Sequence, residues 1–503
     1  MSSSVIIVGS GFAGLSAASF MAKAGWQVTV IEKNNTPGGR AQQLNENGFS
    51  FDMGPSWYWM PDVFENYFEK FGKRVADYYS LKRLDPSYRV YWNDCFTDVP
   101  ADYNAFKKMV DEFEPGASEQ LEKYLKEAAY KYEVGINKLV HKPGRSVTEF
   151  FDKDIFKGVF RLDVFASIKK HIHKYFKSPK LRRLMEFPVL FLGALPENTP
   201  ALYSLMNYAD IKGGTWYPQG GMYSVVKAMY DLAVELGVKF HFNEEASEIV
   251  IQNDAAKKLI TDKTVYEADV IISGADYHFT EEKLLPGSFR SYSEAYWDKR
   301  VMAPSCLLYF IGLNRKLQNV IHHSLFFDVP FEQHAKEIYD DPQWPANPLF
   351  YVSVNSVTDN TVAPPGCDNM VLLIPIASGL KNDDETVREK YFQQIIRRME
   401  KHTGQPILDA VVYKKTFSVS DFETAYNSFR GNAYGLANTL MQTAIFKPSC
   451  KSKKVKNLFY TGQLTVPGPG VPPCLISGEV VAKEVIKEYD GPAKLRPEKL
   501  IND

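Results

Sequence analysis

Apolar and polar positions alternate with different periods along this chain, and the changes of period mark its elements. Residues 4–8 form a continuous apolar run that breaks on Gly9-Ser10-Gly11-Phe12-Ala13-Gly14; 15–24 then reads as a helix and 28–31 as a second strand. Further on, 61–72 predicts a helix, 88–92 and 96–99 short strands, 102–140 long helical material, and 181–205 a helix with a proline break. A helix at 223–236 precedes a run of short strands at 239–242, 247–251, 258–261, 265–268 and 270–273. Between 277 and 429 the β-rich runs are 305–313, 349–357, 370–377 and 411–416, with an amphipathic helix at 384–403. The chain closes with a strand and turn at 455–463, a Pro/Gly-rich stretch at 467–473 and a helix over 475–489.

One segment has a second reading. Over 151–177, Lys153, Lys157, Arg161, Lys169, Lys170, Lys174 and Lys177 are interleaved with His171 and His173, and Val164, Phe165, Ile168, Ile172, Tyr175 and Phe176 share one helical side. That pattern fits a helix lying in a membrane interface, lysines at the headgroups and rings below. It fits equally a surface helix packed on its own domain. A spanning helix needs about 20 apolar residues, and the longest candidates, 187–195 and 301–313, are shorter and carry proline or glycine.

Composition narrows the rest. A length of 503 residues suggests two domains or one interrupted domain. Lys plus Arg (59) balances Asp plus Glu (60), so no global field recruits nucleic acid. Cys95, Cys306, Cys367, Cys450 and Cys474 are scattered without C-x-x-C spacing, which argues for a reducing compartment over a zinc site or disulfide scaffold. His322-His323 has no third ligand at metal spacing and reads as packed or solvated histidine. The first strand begins so near Met1 that no room for a signal peptide is expected; a cytoplasmic protein, bound peripherally to the inner membrane face, is the expectation. The 33 Phe, 29 Tyr and 7 Trp suit either a wide apolar cavity or a large aromatic core.

The chemistry starts at the first turn. Strand, G-x-G-x-x-G, helix, strand and acid fall in the order of a dinucleotide site. Gly9 permits the tight turn, Gly11 lets a pyrophosphate approach the backbone, Gly14 lets the helix sit close to the strand, and the helix N-terminus favours phosphate charge. Glu32 stands about 20 residues downstream, where a ribose diol needs an acceptor and a 2′-phosphate is repelled.

Thr36-Pro37-Gly38-Gly39-Arg40, then Phe51-Asp52-Met53-Gly54-Pro55-Ser56, Gly213-Gly214-Thr215-Trp216-Tyr217-Pro218-Gln219-Gly220-Gly221, and Pro467-Gly468-Pro469-Gly470-Val471-Pro472 follow in order. Together they resemble the FAD-dependent amine oxidase and phytoene desaturase superfamily, within it the bacterial-type carotenoid desaturases, and most nearly the phytoene desaturases. The resemblance implies an α/β fold: a discontinuous Rossmann-like FAD-binding domain (1–75, 213–285, 430–490), an inserted α+β substrate domain (286–429), a helical, membrane-facing region (76–212) and a tail (491–503). It implies that Gly9, Ser10, Gly11, Phe12, Ala13, Gly14, Glu32, Lys33, Gly39, Arg40, Ala246, Gly462, Gln463, Val471 and Pro472 hold FAD. Gly54, Pro55 and Ser56 would reach the ring, and Trp57, Tyr58 and Trp59 the polyene. Gln463 departs from the acidic residue many flavoproteins carry after that glycine.

What the resemblance implies is removal of hydrogens from a long polyene, with phytoene desaturation toward lycopene as the leading form and hydroxycarotenoid 3,4-desaturation or redox-neutral isomerisation as alternatives. A membrane surface and an electron acceptor such as quinone or oxygen are the implied partners. A lipid carrier of the same fold would not need an intact phosphate loop. Arg161, Asp163 and Glu186 read as surface or structural charges, and no general base is assigned.

Overall fold

The computed structural model describes residues 3–146, 149, 166–190 and 193–490. Lys153, Lys157, Arg161, Asp163, Val164, Phe165 and the tail 491–503 lie outside the described residues. A five-stranded parallel sheet runs Leu458–Tyr460, Val270–Ser273, Ser4–Val8, Gln27–Ile31, Lys239–His241. Its strands come from three distant stretches of chain, so the nucleotide fold is discontinuous. Val5, Ile7, Val28, Val30, Val270 and Ile272 are buried on one side and Ile6, Val8, Ile31 and Ile271 on the other, which is why these strands read as unbroken apolar runs.

The short strands after Gly237 divide. Lys239–His241 joins the parallel sheet, whereas Ala246–Gln252, Ala255–Thr261 and Val265–Glu267 form a separate antiparallel sheet.

A seven-stranded mixed sheet runs Val411–Phe417, Ser305–Leu313, Asp368–Ile376, Phe350–Ser353, His323–Phe326, Tyr88–Tyr91, Phe96–Val99. One face, with Leu307, Tyr309, Ile311, Leu372 and Ile374, packs on Tyr391, Phe392, Ile395 and Met399 of the helix Glu385–Thr403. On the other face the register lines up Leu308, Leu373, Tyr351, Leu325 and Val90 in one row across five strands. That row carries the wall of the functional site outward into the helical region.

Several elements differ from the sequence reading. The helical stretch 102–140 is two helices, Tyr103–Phe113 and Ala117–Val134, broken at Pro115-Gly116, where Gly116 takes φ +80°. The last helix starts at Val471, not 475, because Pro472 and Pro473 occupy its first turn, where a missing N–H costs nothing. His323–Phe326 forms an interior strand that four residues of mixed character did not announce. In the basic segment, Ile168–Tyr175 is a helix, but Ile168, Ile172 and Phe176 are buried against Tyr124 and Leu121 in the helical core. For this described half, the apolar side faces the protein interior. No helix among the described residues is long and apolar enough to cross a membrane.

Candidate functional site

A cleft enclosing about 1610 Å³, open mouth included, runs along the carboxyl ends of the parallel strands. At one end stand Glu32, Lys33, Asn34, Glu244 and Ala246; in the middle Gly9, Gly11, Phe12, Ala13, Gly39 and Arg40. The far end is walled by Gly54, Pro55, Cys306, Leu308, Leu373 and Tyr434, with Gly462, Gln463, Gly470 and Val471 opposite.

The first turn works by exclusion of side chains. Gly9 takes φ +91°, and a Cβ on Gly14 would stand 2.0 Å from the Gly9 carbonyl oxygen. At Gly11 a Cβ would meet nothing within 4 Å, so this backbone faces open cleft. Here the helix Phe12–Lys23 begins with no side-chain cap on its first N–H groups.

Glu32 is buried and pre-set. Its Oε2 accepts from Ser10 N and Ser10 Oγ, both at 2.8 Å, and its Oε1 from Asn34 N (2.9 Å) and Nδ2 (3.0 Å). Those four bonds use the lone-pair sites a carboxylate offers, so a ribose hydroxyl binds there in exchange for Ser10 Oγ or Asn34 Nδ2. Ser10 itself is behind the cleft wall, as is Gly14.

Arg40 is held from a distant stretch of chain. Its Nη2 donates to Ser428 Oγ (2.8 Å) and the Asn432 carbonyl (3.3 Å), and Gln463, with its amide oxygen turned to the guanidinium, accepts from Nη2 at 3.0 Å and Nη1 at 3.2 Å. Burial holds the guanidinium below its ordinary pKa, against the pull of the Asp276 carboxylate. The Asp276 carboxyl is pushed up by its own burial and drawn down by Arg40. Arg40 Nε is buried with no partner among the described residues. An orphaned cationic N–H beside an open glycine cradle is what a pyrophosphate satisfies. Gln463, neutral where many flavoproteins carry an acid, adds no charge of its own, and Asp276 is the carboxylate that acts on the guanidinium. These residues fit FAD, which, when bound, supplies an acceptor for hydride at its ring.

Not every predicted residue reaches the cleft. Pro472 lies in the first turn of the last helix, behind Val471. Ser56 and the aromatic triplet lie beyond Pro55, outside the cleft wall. The extended backbone alternates there. Trp57 stacks on His323 (4.2 Å, 13°) and lies 5.2 Å from Trp59, both in a cluster with Tyr88 and Phe187. Tyr58 points the other way and is fully buried, stacked on Phe64 with its hydroxyl 2.8 Å from that of Tyr79. It is a core residue, and its assignment to substrate is corrected accordingly.

His322 and His323 are core groups whose Nδ1 atoms meet Thr358 Oγ1 (2.8 Å) and Tyr351 Oη (2.6 Å); burial pulls His322 down to about 3. Glu186 faces His173 at 3.1 Å in a separate charged hollow with Arg183 and Glu332, its carboxyl pushed up to about 7 by burial. Sequence reasoning missed Cys306, Leu308, Leu373 and Tyr434 in the wall and Ser428 and Asn432 behind Arg40. Both long strands are near-continuous apolar runs buried on both faces, so no polar alternation marks Leu308 and Leu373 as facing the cleft.

The sequence profile of the flavin containing amine oxidoreductases matches residues 12–486. Carotenoid 3,4-desaturase of Haloarcula japonica is 40% identical over 486 residues, covering 96% of this chain and 98% of the relative. The zeta-carotene-forming phytoene desaturase of Myxococcus xanthus is 30% identical over 492 residues, covering 96% and 93%. A solved oxidoreductase from Methanosarcina mazei superposes with TM-score 0.61 at 16% identity, over 95% of this chain and 99% of that one, which shows a common fold. With its cleft, its glycine cradle and its buried arginine, the chain belongs to the flavin-containing amine oxidoreductases, and within them to the FAD-dependent carotenoid desaturases.

Proposed function

We propose that this desaturase acts on an acyclic C40 carotenoid and introduces the 3,4 double bond. The observation that carries the reading is the rise in identity from 30% with phytoene desaturase to 40% with carotenoid 3,4-desaturase, each along nearly the whole of both chains. Stepwise conversion of phytoene toward lycopene is the second reading, supported by the relatives at 30%.

A C–H bond beside a conjugated polyene is activated because the positive charge left by hydride loss is delocalised. Reaction then depends on holding that carbon within about 3.5 Å of the acceptor. Cys306, Leu308, Leu373 and Tyr434 supply the water-excluding wall for this. The reacting end of the polyene lies against Leu308 and Leu373, whose row continues through Tyr351, Leu325 and Val90 into the packed cluster that holds Trp57 and Trp59. Gly9, Gly11, Glu32, Arg40, Gly462 and Val471 hold the cofactor. The substrate is drawn from a membrane surface to which the protein binds peripherally on the cytoplasmic side, and electrons pass on to a quinone or oxygen.

The test is the mass of the product formed by purified protein, FAD and an electron acceptor on liposomes carrying phytoene, lycopene or a hydroxylated lycopene. Loss of one hydrogen pair from the lycopene-type substrates supports 3,4-desaturation, and successive losses from phytoene select the second reading. Unchanged mass with altered geometry would make it an isomerase, and binding without turnover a lipid carrier. The intact phosphate cradle speaks against the carrier.

A further inference from the structure

Lys447 is a buried cation without an anion. It is 4% exposed, and the one hydrogen-bond partner of its Nζ among the described residues is Asn438 Oδ1 at 3.0 Å. An ammonium carries three donors, and a lysine is almost never fully buried unless paired, since the lost hydration far exceeds what one neutral hydrogen bond returns. No carboxylate, histidine or second cation among the described residues faces it; burial alone pulls its pKa to about 7.

Its position suggests what charge is missing. Nζ would stand 3.0 Å from a Cβ on Gly468, so it rests against the loop whose next glycine, Gly470, forms the cleft wall with Val471. On the other flank, Thr465 lines the cleft and donates through Oγ1 to the carbonyl of Pro448, the residue after Lys447 (2.7 Å). Glu32 and the glycine turn take the nucleotide half of FAD, which leaves this end of the cleft for the isoalloxazine ring. The 19-residue helix Val471–Tyr489 turns its N-terminus to the same end. Lys447, one loop behind the cleft wall, and the helix N-terminus thus both add positive potential to the end of the cleft where the oxidised cofactor would be neutral and the reduced one anionic.

We propose that Lys447 is the counter-charge of reduced FAD, protonated when the cofactor is reduced, and that it thereby sets the cofactor's potential. The step balances: the C–H electron pair leaves the substrate as hydride to the ring, which becomes an anion, and the neighbouring carbon gives its proton to solvent. One solvent proton converts the Lys447 amine to ammonium. The inference rests on FAD binding in this cleft and is independent of which polyene is the substrate.

The experiment is a substrate-free reductive titration of the FAD-loaded protein against a reference dye between pH 6 and 9. It compares wild type with Lys447→Met and Lys447→Arg. Wild type is expected to show an extra fall of midpoint potential as pH rises from about 7, where the free amine must be protonated on reduction. In Lys447→Met the equilibrium constant for reduction drops about ten- to a hundredfold at pH 6, equal to about 30–60 mV for a two-electron couple, and the extra slope vanishes. Lys447→Arg keeps the wild-type potential at pH 6 and loses the slope, because its charge does not titrate. Coincident potentials for wild type and Lys447→Met overturn the proposal. If the methionine variant does not retain FAD, a wild-type slope persisting in Lys447→Arg overturns it equally. A wild-type protein that takes up no flavin overturns the cofactor assignment and the proposal with it, a result distinct from an unchanged potential.

Discussion

Arg40→Met tests the pyrophosphate site at its most specific atom. In the free protein the two Nη groups are already engaged by Ser428, Asn432 and Gln463, whereas Nε is orphaned. What FAD gains from Arg40 is therefore one charge-assisted hydrogen bond, about 1.5–3 kcal/mol. At 1.4 kcal/mol per decade, the substitution weakens FAD binding by about 10- to 150-fold. The apoprotein changes less, because two terms oppose: the Gln463 oxygen loses its donor, while a buried charge with no full partner is removed. Quenching of flavin fluorescence on titration with apoprotein gives the dissociation constant, and thermal melts with and without FAD separate the two terms. Arg40→Lys is expected to fall between, since an ammonium cannot serve the Nη and Nε positions together. A folded Arg40→Met protein binding FAD within twofold of wild type would refute the placement of the pyrophosphate against this side chain.

Four further outcomes follow from particular contacts. Gly14→Ala puts a Cβ 2.0 Å from the Gly9 carbonyl, and forcing helix from turn costs about 1–3 kcal/mol, read as a lower urea midpoint together with weaker FAD binding. Tyr58→Phe strands the Tyr79 hydroxyl and lowers stability by about 1 kcal/mol with turnover unchanged. Trp57→Ala, by contrast, changes turnover, and steady-state assays on liposomal substrate distinguish them. Burial raises the Asp210 carboxyl from 3.8 to about 7, where it accepts from Tyr88 Oη and Thr215 Oγ1. Between pH 4 and 7 the unfolded state ionises and the folded state does not, so wild type loses stability as pH rises through that window. Asp210→Asn still meets both hydroxyls, accepting from one through Oδ1 and donating to the other through Nδ2, and flattens the profile; equal slopes in urea unfolding at pH 4.5 and 7.5 would count against it.

The elements legible from sequence were those whose signal is local. The glycine turn, the first two strands and Glu32 announce themselves because backbone sterics and a carboxylate at fixed spacing act over about 30 residues. The break at Pro115-Gly116 is equally local, but it sits inside a long helical pattern that hides it. His323–Phe326 carried too few residues for any period to show, and it is a strand because neighbours on both sides supply its hydrogen bonds. The apolar side of Ile168–Tyr175 had two fates consistent with its periodicity, and packing against Tyr124 and Leu121 selected the interior one.

The sequence by itself determined that a dinucleotide sits on a βαβ turn and that a family of flavin motifs recurs in order along the chain, since those depend on residue type at short spacing. Only the tertiary structure decided which side chains meet there. Ser428 reaches Arg40 across 388 positions, Leu308 and Leu373 become one wall through cross-strand register, and Lys447 is stripped of water without an anion to face. Burial and long-range contact are properties of the packed chain, and no local period encodes them.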